Sequence, residues 1–210
     1  MSPIGIIHSC FKEKFGIPRQ PGLVPEANAQ LEIVSPYDRD EAFRGLEGFS
    51  HIWVIFQFHA TARSEWKPTV RPPRLGGNQR IGVFASRSTF RPNSIGMSVV
   101  RLQGIRRDKN RLLLDLSGID LLEGTPVLDI KPYLPYADSI QDATGGYARK
   151  MPEKCLEVKF SENAEKSCAE KEAVGRHHLR QMITSILQLD PRPAYNSAKS
   201  QIDEGREYGM

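Results

Sequence analysis

Cysteine is scarce in this chain. The three present, Cys10, Cys155 and Cys168, are widely spaced and form no CxxC pair. That excludes a disulfide framework and a thiolate zinc site and leaves reduced thiols, with no metal expected. No apolar run approaches the roughly 20 residues a membrane-spanning helix needs. The first residues, Met1 to His8, lack a basic n-region, and their apolar run is too short for a signal peptide, so a cytoplasmic location is expected. No GxGxxG follows a strand-like run, which removes the Rossmann route to a nucleotide cofactor. There is no internal repeat.

What is present suits one good core with a small appendage: 210 residues, 39% hydrophobic and 26% charged. The net charge of +4 is modest, but its distribution is uneven. Between Arg63 and Arg91 there are seven basic residues and one acid, Glu65. Such a surplus attracts polyanions, and arginine, which dominates it, makes bidentate contacts with phosphates and base edges.

The first 140 residues read as short strands between turns. Ile4 to Ser9, Gln30 to Val34, His51 to His59, Arg80 to Arg87, Ser98 to Ile105, Arg111 to Leu116 and Val127 to Ile130 are the candidates. In the strongest of these, Ile52, Val54, Phe56 and Phe58 share one face, and Trp53, Ile55, Gln57 and His59 the other. The spacing suggests a barrel or a sandwich. A short helix is expected from Ser35 as N-cap, with Pro36 at N1, through Ala42, Phe43 and Leu46. Beyond Asp138 the chain turns polar and Gly-rich, then offers a possible strand at Cys155 to Phe160 and an amphipathic helix through Leu179, Met182, Ile183, Ile186 and Leu187. Residues 1–140 are therefore taken as a mainly β domain and 141–210 as a linker with a small α+β domain.

Four segments carry polar residues that folding alone does not require: Gly16 to Gly22, Phe58-His59, Phe84 to Gly96 and Gly118 to Tyr133. Loops on a rigid β scaffold commonly carry binding groups. Read from residues alone, they give a polar site with a basic flank and do not identify a cofactor. A non-catalytic RNA-binding barrel is the competing reading, with Phe84 and Phe90 as possible stacking residues.

The stretch Phe49 to Trp53, the run Arg71 to Gly77, the loop Arg91 to Gly96 and the segment Asp120 to Tyr133 resemble the TsaA-like family in its bacterial TrmO branch. The resemblance covers about residues 3 to 140, and Asp190 to Tyr195 resembles that branch's C-terminal domain. It implies a small closed β-barrel that binds S-adenosyl-L-methionine (SAM), acts as a homodimer and methylates N6 of threonylcarbamoyl-adenosine beside the tRNA anticodon. By similarity, SAM contacts fall on Pro18, Arg19, Gln20, Phe58, His59, Arg87, Asn93, Ser94, Ile95, Met97, Asp120, Leu121, Leu122, Glu123 and Thr125. Contacts to tRNA fall on Arg71, Arg74, Arg91, Lys131, Tyr133, Arg192 and Tyr195. Asp129 and His59 are both candidates for the general base. The chain departs from the family loop by having Ser94 in place of a second proline, and it ends at Met210, where the family's C-terminal domain is expected to continue.

Overall fold

Alternation along each strand decides which side chains fill the interior. The strands, in chain order, are β1 (Gly5–Ser9), β2 (Asn28–Ile33), β3 (His51–Gln57), β4 (Thr69–Val70), β5 (Ile81–Gly82), β6 (Ile95–Asp108), β7 (Arg111–Ser117) and β8 (Pro126–Pro132). In this computed structural model, which describes residues 1–60, 65–175 and 178–191, six of them close an antiparallel barrel in the order β1-β2-β7-β6-β3-β8. Closure leaves no unpaired edge. Ile7, Leu31, Ile52, Val54, Leu114, Leu116 and Val127 point inward and are almost fully buried. Each such aliphatic side chain contributes about 1.5–3 kcal/mol relative to exposure.

β6 is long enough to serve two neighbours. Ile95 to Arg101 pair with β3, and Arg101 to Asp108 pair with β7. The register with β7 shifts between Leu102 and Gly104, a bulge of the kind that bends a strand around a small barrel.

The excursion between β3 and β6 lies outside the barrel. β4 and β5 form a two-stranded ribbon there, Thr69 opposite Gly82 and Val70 opposite Ile81. The strand expected over Arg80 to Arg87 therefore ends at Gly82. Val83–Ala85 curl into a three-ten turn because the Ser86 hydroxyl and the Arg91 guanidinium both donate to the Val83 carbonyl, at 2.8 and 3.2 Å. Val83 is buried, and Phe84 is thrown outward.

The helix expected from Ser35 to Leu46 does not form. The chain instead makes two three-ten turns, Asp40–Phe43 and Leu46–Gly48, separated by Gly45 at φ 87°. Only Phe43 in this stretch is fully buried, so no continuous apolar stripe repays a longer helix.

After β8 come α1 (Pro135–Asp138), α2 (Glu162–Ala173) and α3 (Leu179–Gln188). Cys155 to Phe160 forms no strand among the described residues, although the Cys155 amide donates to the Gln188 carbonyl at 2.9 Å. The charged run before Leu179 holds α2, with Ser161 as N-cap accepting from the Ala164 amide. Arg180 joins the two helices by two 2.7 Å bonds to Glu165 and lies over the Phe160 ring. Met182 and Ile186 of α3 enter the barrel's own core cluster. This helix thereby closes the region beside residues 10–19, where Arg19 donates to the Asp190 carbonyl at 3.1 Å.

Candidate functional site

Three loops meet beside the inward face of β6. Gly118, at φ +70°, turns the chain after β7, and its carbonyl accepts the Gly22 amide at 2.8 Å. A Cβ at Gly118 would meet the Gly22 backbone at 3.4 Å, an ordinary contact, so it is the positive φ that favours glycine at this junction between the 16–22 and 118–125 segments. Gly96 is required for another reason: a Cβ there would collide with the rings of Phe56 and Phe58. Those rings pack edge to face at 5.1 Å. The Phe58 amide donates to the Ser94 carbonyl at 2.8 Å, which fixes the Asn93–Gly96 loop against the end of β3.

The polar groups here form two hydrogen-bonded pairs, close enough for charge to act between them. The Ser98 hydroxyl donates to Asp120 Oδ1 at 2.6 Å. Arg87 donates to the Gln20 side-chain carbonyl at 2.7 Å, and its charge is felt at Asp120. Burial raises the Asp120 carboxyl to about 6 from its ordinary 3.8, against the opposing pull of the Ser98 hydroxyl, its own backbone amide and Arg87. Gln20, Arg87 and Asp120, expected together from the sequence, are thus brought together. Ser98 was not expected; its signal is a hydroxyl at an inward position of an apolar strand, opposite Val54.

Other expected contacts are used differently. Glu123 belongs to β1: the Ser9 amide donates to it at 2.5 Å, and His8 and Lys12 lie at 3.4 and 3.3 Å. Burial alone would raise the Glu123 carboxyl, but those three partners hold it below its ordinary value. Leu121 is core, and the buried Thr125 hydroxyl donates to the Leu122 carbonyl. The amides of Glu123, Gly124 and Thr125 are likewise spent within the fold. Pro18 is buried, while Arg19, His59 and Asn93 are exposed, and Ser94 and Ile95 are partly buried. Met97 faces outward, 53% exposed, opposite Ile55.

Asp129, Lys131 and Tyr133 also lie on the outer wall. Lys131 pairs with Asp129 at 3.1 Å, the Ile130 amide donates to the same carboxylate, and Tyr133 packs on Trp53 and His51. Within one chain none of them joins the Asp120 group. Arg91 is a strut rather than an open contact: its guanidinium holds the carbonyls of Val83 and Ser86. Arg74 donates to the Lys150 carbonyl at 2.6 Å. Arg71 and Arg74 line a cleft of about 1920 Å³ that also takes in Arg19, Gln20 and Arg87. Arg192 and Tyr195 lie outside the described residues.

The donor set suits SAM. An enclosed carboxylate beside a guanidinium and an amide can hold an ammonium, a carboxylate and ribose hydroxyls in one place. Among the described residues no cluster of His, Cys, Asp or Glu fits a metal ion.

Fold and site together define a class: a small closed barrel whose binding groups stand on rim loops and on one inward strand face. The chain belongs to the tRNA-methyltransferase O family, whose N-terminal domain model matches residues 6–139 and whose C-terminal domain model matches residues 153–210. A relative from Escherichia coli named tRNA (adenine(37)-N6)-methyltransferase is 50% identical over 99% of this chain and 86% of its own. A Pseudomonas aeruginosa relative, provisionally described as an S-adenosylmethionine-dependent methyltransferase, is 50% identical over the whole of this chain and 87% of its own. A crystal structure of the Pseudomonas aeruginosa TrmO superposes with a TM-score of 0.74 at 48% identity, covering 91% of this chain and 80% of that one.

Proposed function

We propose that the protein is a SAM-dependent methyltransferase acting on N6 of the adenosine at position 37 of tRNA, in its threonylcarbamoyl-modified form. The observation that carries this reading is the pair Gln20 and Arg87 lining an arginine-rich cleft, with the Arg87 charge felt at the Asp120 carboxylate that Ser98 holds. The named relatives support the reaction and the position of the base.

SAM, when bound, supplies an electrophilic methyl group. The chain's own work is positioning. Asp120 and Arg87 orient the donor's charged and hydroxyl groups. The arginines of the cleft hold phosphates and the threonine carboxylate. The carbamoyl-substituted N6 is amide-like and a weak nucleophile, so its proton must leave as the methyl arrives. We take His59 as the base: it is exposed and follows Phe58, whose amide anchors the Asn93–Gly96 loop.

The working form is read as a homodimer in the cytoplasm. Trp53, Ile55, Met97 and Val99 make an incompletely buried apolar strip on the outer wall of β3 and β6. Asp129, Lys131 and Tyr133 border it, so a second copy seated there is the route by which they, with Met97, would reach a cofactor.

Single-turnover methylation of tRNA carrying or lacking the threonylcarbamoyl group tests the assignment. Transfer confined to the modified tRNA is expected. Equal transfer to both would overturn the substrate, and no transfer to either would overturn the activity.

A further inference from the structure

Phenylalanine seldom stands in water when a core is available, yet Phe84 is 70% exposed and Trp66 48%. Their rings stack on each other with centroids 6.3 Å apart and 27° between planes. The pair is held in place. Arg91 lies 5.5 Å from the Phe84 ring centre, and the same guanidinium is fixed by the Val83 and Ser86 carbonyls at 3.2 and 2.7 Å. The three-ten turn that buries Val83 is what projects Phe84 outward. A second cation–aromatic contact, Lys67 over Phe90 at 5.0 Å, stands close by in sequence. Phe84 and Phe90 both line the large cleft, along with Tyr147.

The surroundings select one kind of occupant. Eight of the cleft's lining side chains are basic, and a single one, Glu153, is acidic. A cationic wall carrying an exposed aromatic stack complements a single-stranded nucleic acid, whose phosphates meet the arginines while an unstacked base meets the rings. Neither a purely apolar partner nor an isolated phosphate would use both features.

We propose that the Trp66–Phe84 pair is a stacking seat for an unpaired base of the anticodon loop next to the adenosine to be methylated. The inference rests on the tRNA reading above and adds to it the residues that keep the loop splayed. The Arg87 and Gln20 part of the cleft receives the reacting nucleoside, and Phe84, which lines the cleft with Trp66 stacked on it, grips a neighbour. Because every base has a π face, this grip adds affinity and geometry without reading sequence.

The test uses the full chain and a fluorescent anticodon stem-loop RNA, with parallel titration of SAM. Phe84→Ala and Trp66→Ala should each weaken RNA binding by roughly 5- to 150-fold, the range of one lost base–aromatic stack. SAM affinity and the salt dependence of RNA binding should stay as in the unmodified chain, since no phosphate contact is removed. Phe84→Tyr should restore binding. Removing one loop base, as an abasic site, should weaken binding to the unmodified chain and have little further effect on Phe84→Ala. Three results would each overturn the seat: unchanged RNA affinity in both alanine variants, loss of SAM affinity in Phe84→Ala, or a fall to monomer in Phe84→Ala showing that the rings serve a subunit contact. If the unmodified chain binds no stem-loop at all, the tRNA reading fails instead.

Discussion

The hydroxyl of Ser98 donates to Asp120 Oδ1 at 2.6 Å, and this bond joins the barrel interior to the loop that carries the only strongly perturbed carboxyl among the described residues. Because the folded carboxyl titrates near 6 and the ordinary value is 3.8, the folded state holds a proton that the unfolded state has lost between those values. The stability this group contributes is therefore fully present below its ordinary value and is lost as pH rises through about 6. Cofactor binding runs the other way, since the ionised form is the acceptor. SAM affinity, measured by titration calorimetry, should increase as pH rises through about 6. Asp120→Asn should bind weakly with no such inflection. Ser98→Ala removes a bond that lowers the value, so its inflection should move to higher pH. An unmoved inflection in both variants would detach Asp120 from the cofactor.

Gly96 makes a prediction about stability alone. A methyl group there meets the ring of Phe58 at 2.8 Å and presses harder still on Phe56, whose ring is in the core. Gly96→Ala should destabilise the fold by about 1–3 kcal/mol, the usual cost of overpacking. Urea unfolding with an unchanged slope would show it. A loss near zero would mean the aromatic pair yields freely.

These features were unequally legible in the sequence. Strand alternation exposes the barrel because inward positions must be apolar, and Ile52, Val54 and Phe56 follow that rule. Asp120, Arg87 and Gln20 stood out as polar groups within Gly- and Pro-punctuated loops. Ser98 did not, since one hydroxyl in a strand has little propensity signal and its meaning depends on a partner 22 residues away. Alternation predicts a strand over Arg80 to Arg87, but the bonds from Ser86 and Arg91 curl the chain after Gly82 and override it. The sequence already offers Phe84 as a possible stacking residue, whereas Trp66 is hidden by the ordinary expectation that large aromatics lie in the core. The outward placement of Met97, Asp129 and Lys131 follows from strand register, which a single chain reveals only once β3, β6 and β8 are paired.

The two base candidates separate by position. His59 is exposed on the rim, whereas Asp129 is engaged by Lys131 and the Ile130 amide. His59→Ala should lower the single-turnover rate by about 100-fold or more, in the range expected for a lost general base. Asp129→Asn should change it by much less, with its effect in KM rather than kcat. The reverse pattern would transfer the role to Asp129 and place the base on the outer wall.

The outer wall itself gives the last prediction. Met97 is 53% exposed beside Ile55 on the face where a second copy is proposed to sit. A carboxylate introduced there would be buried without a partner in a dimer, but would be well solvated in a monomer. Met97→Glu should therefore leave the melting temperature of the isolated barrel nearly unchanged while shifting sedimentation from dimer to monomer. If residues of that wall also complete the cofactor site, SAM affinity should fall with dimer content and recover as protein concentration is raised. Monomers that bind SAM as tightly as the unmodified chain would show that Gln20, Arg87 and Asp120 of one subunit suffice. A variant that stays dimeric would move the subunit contact to another face.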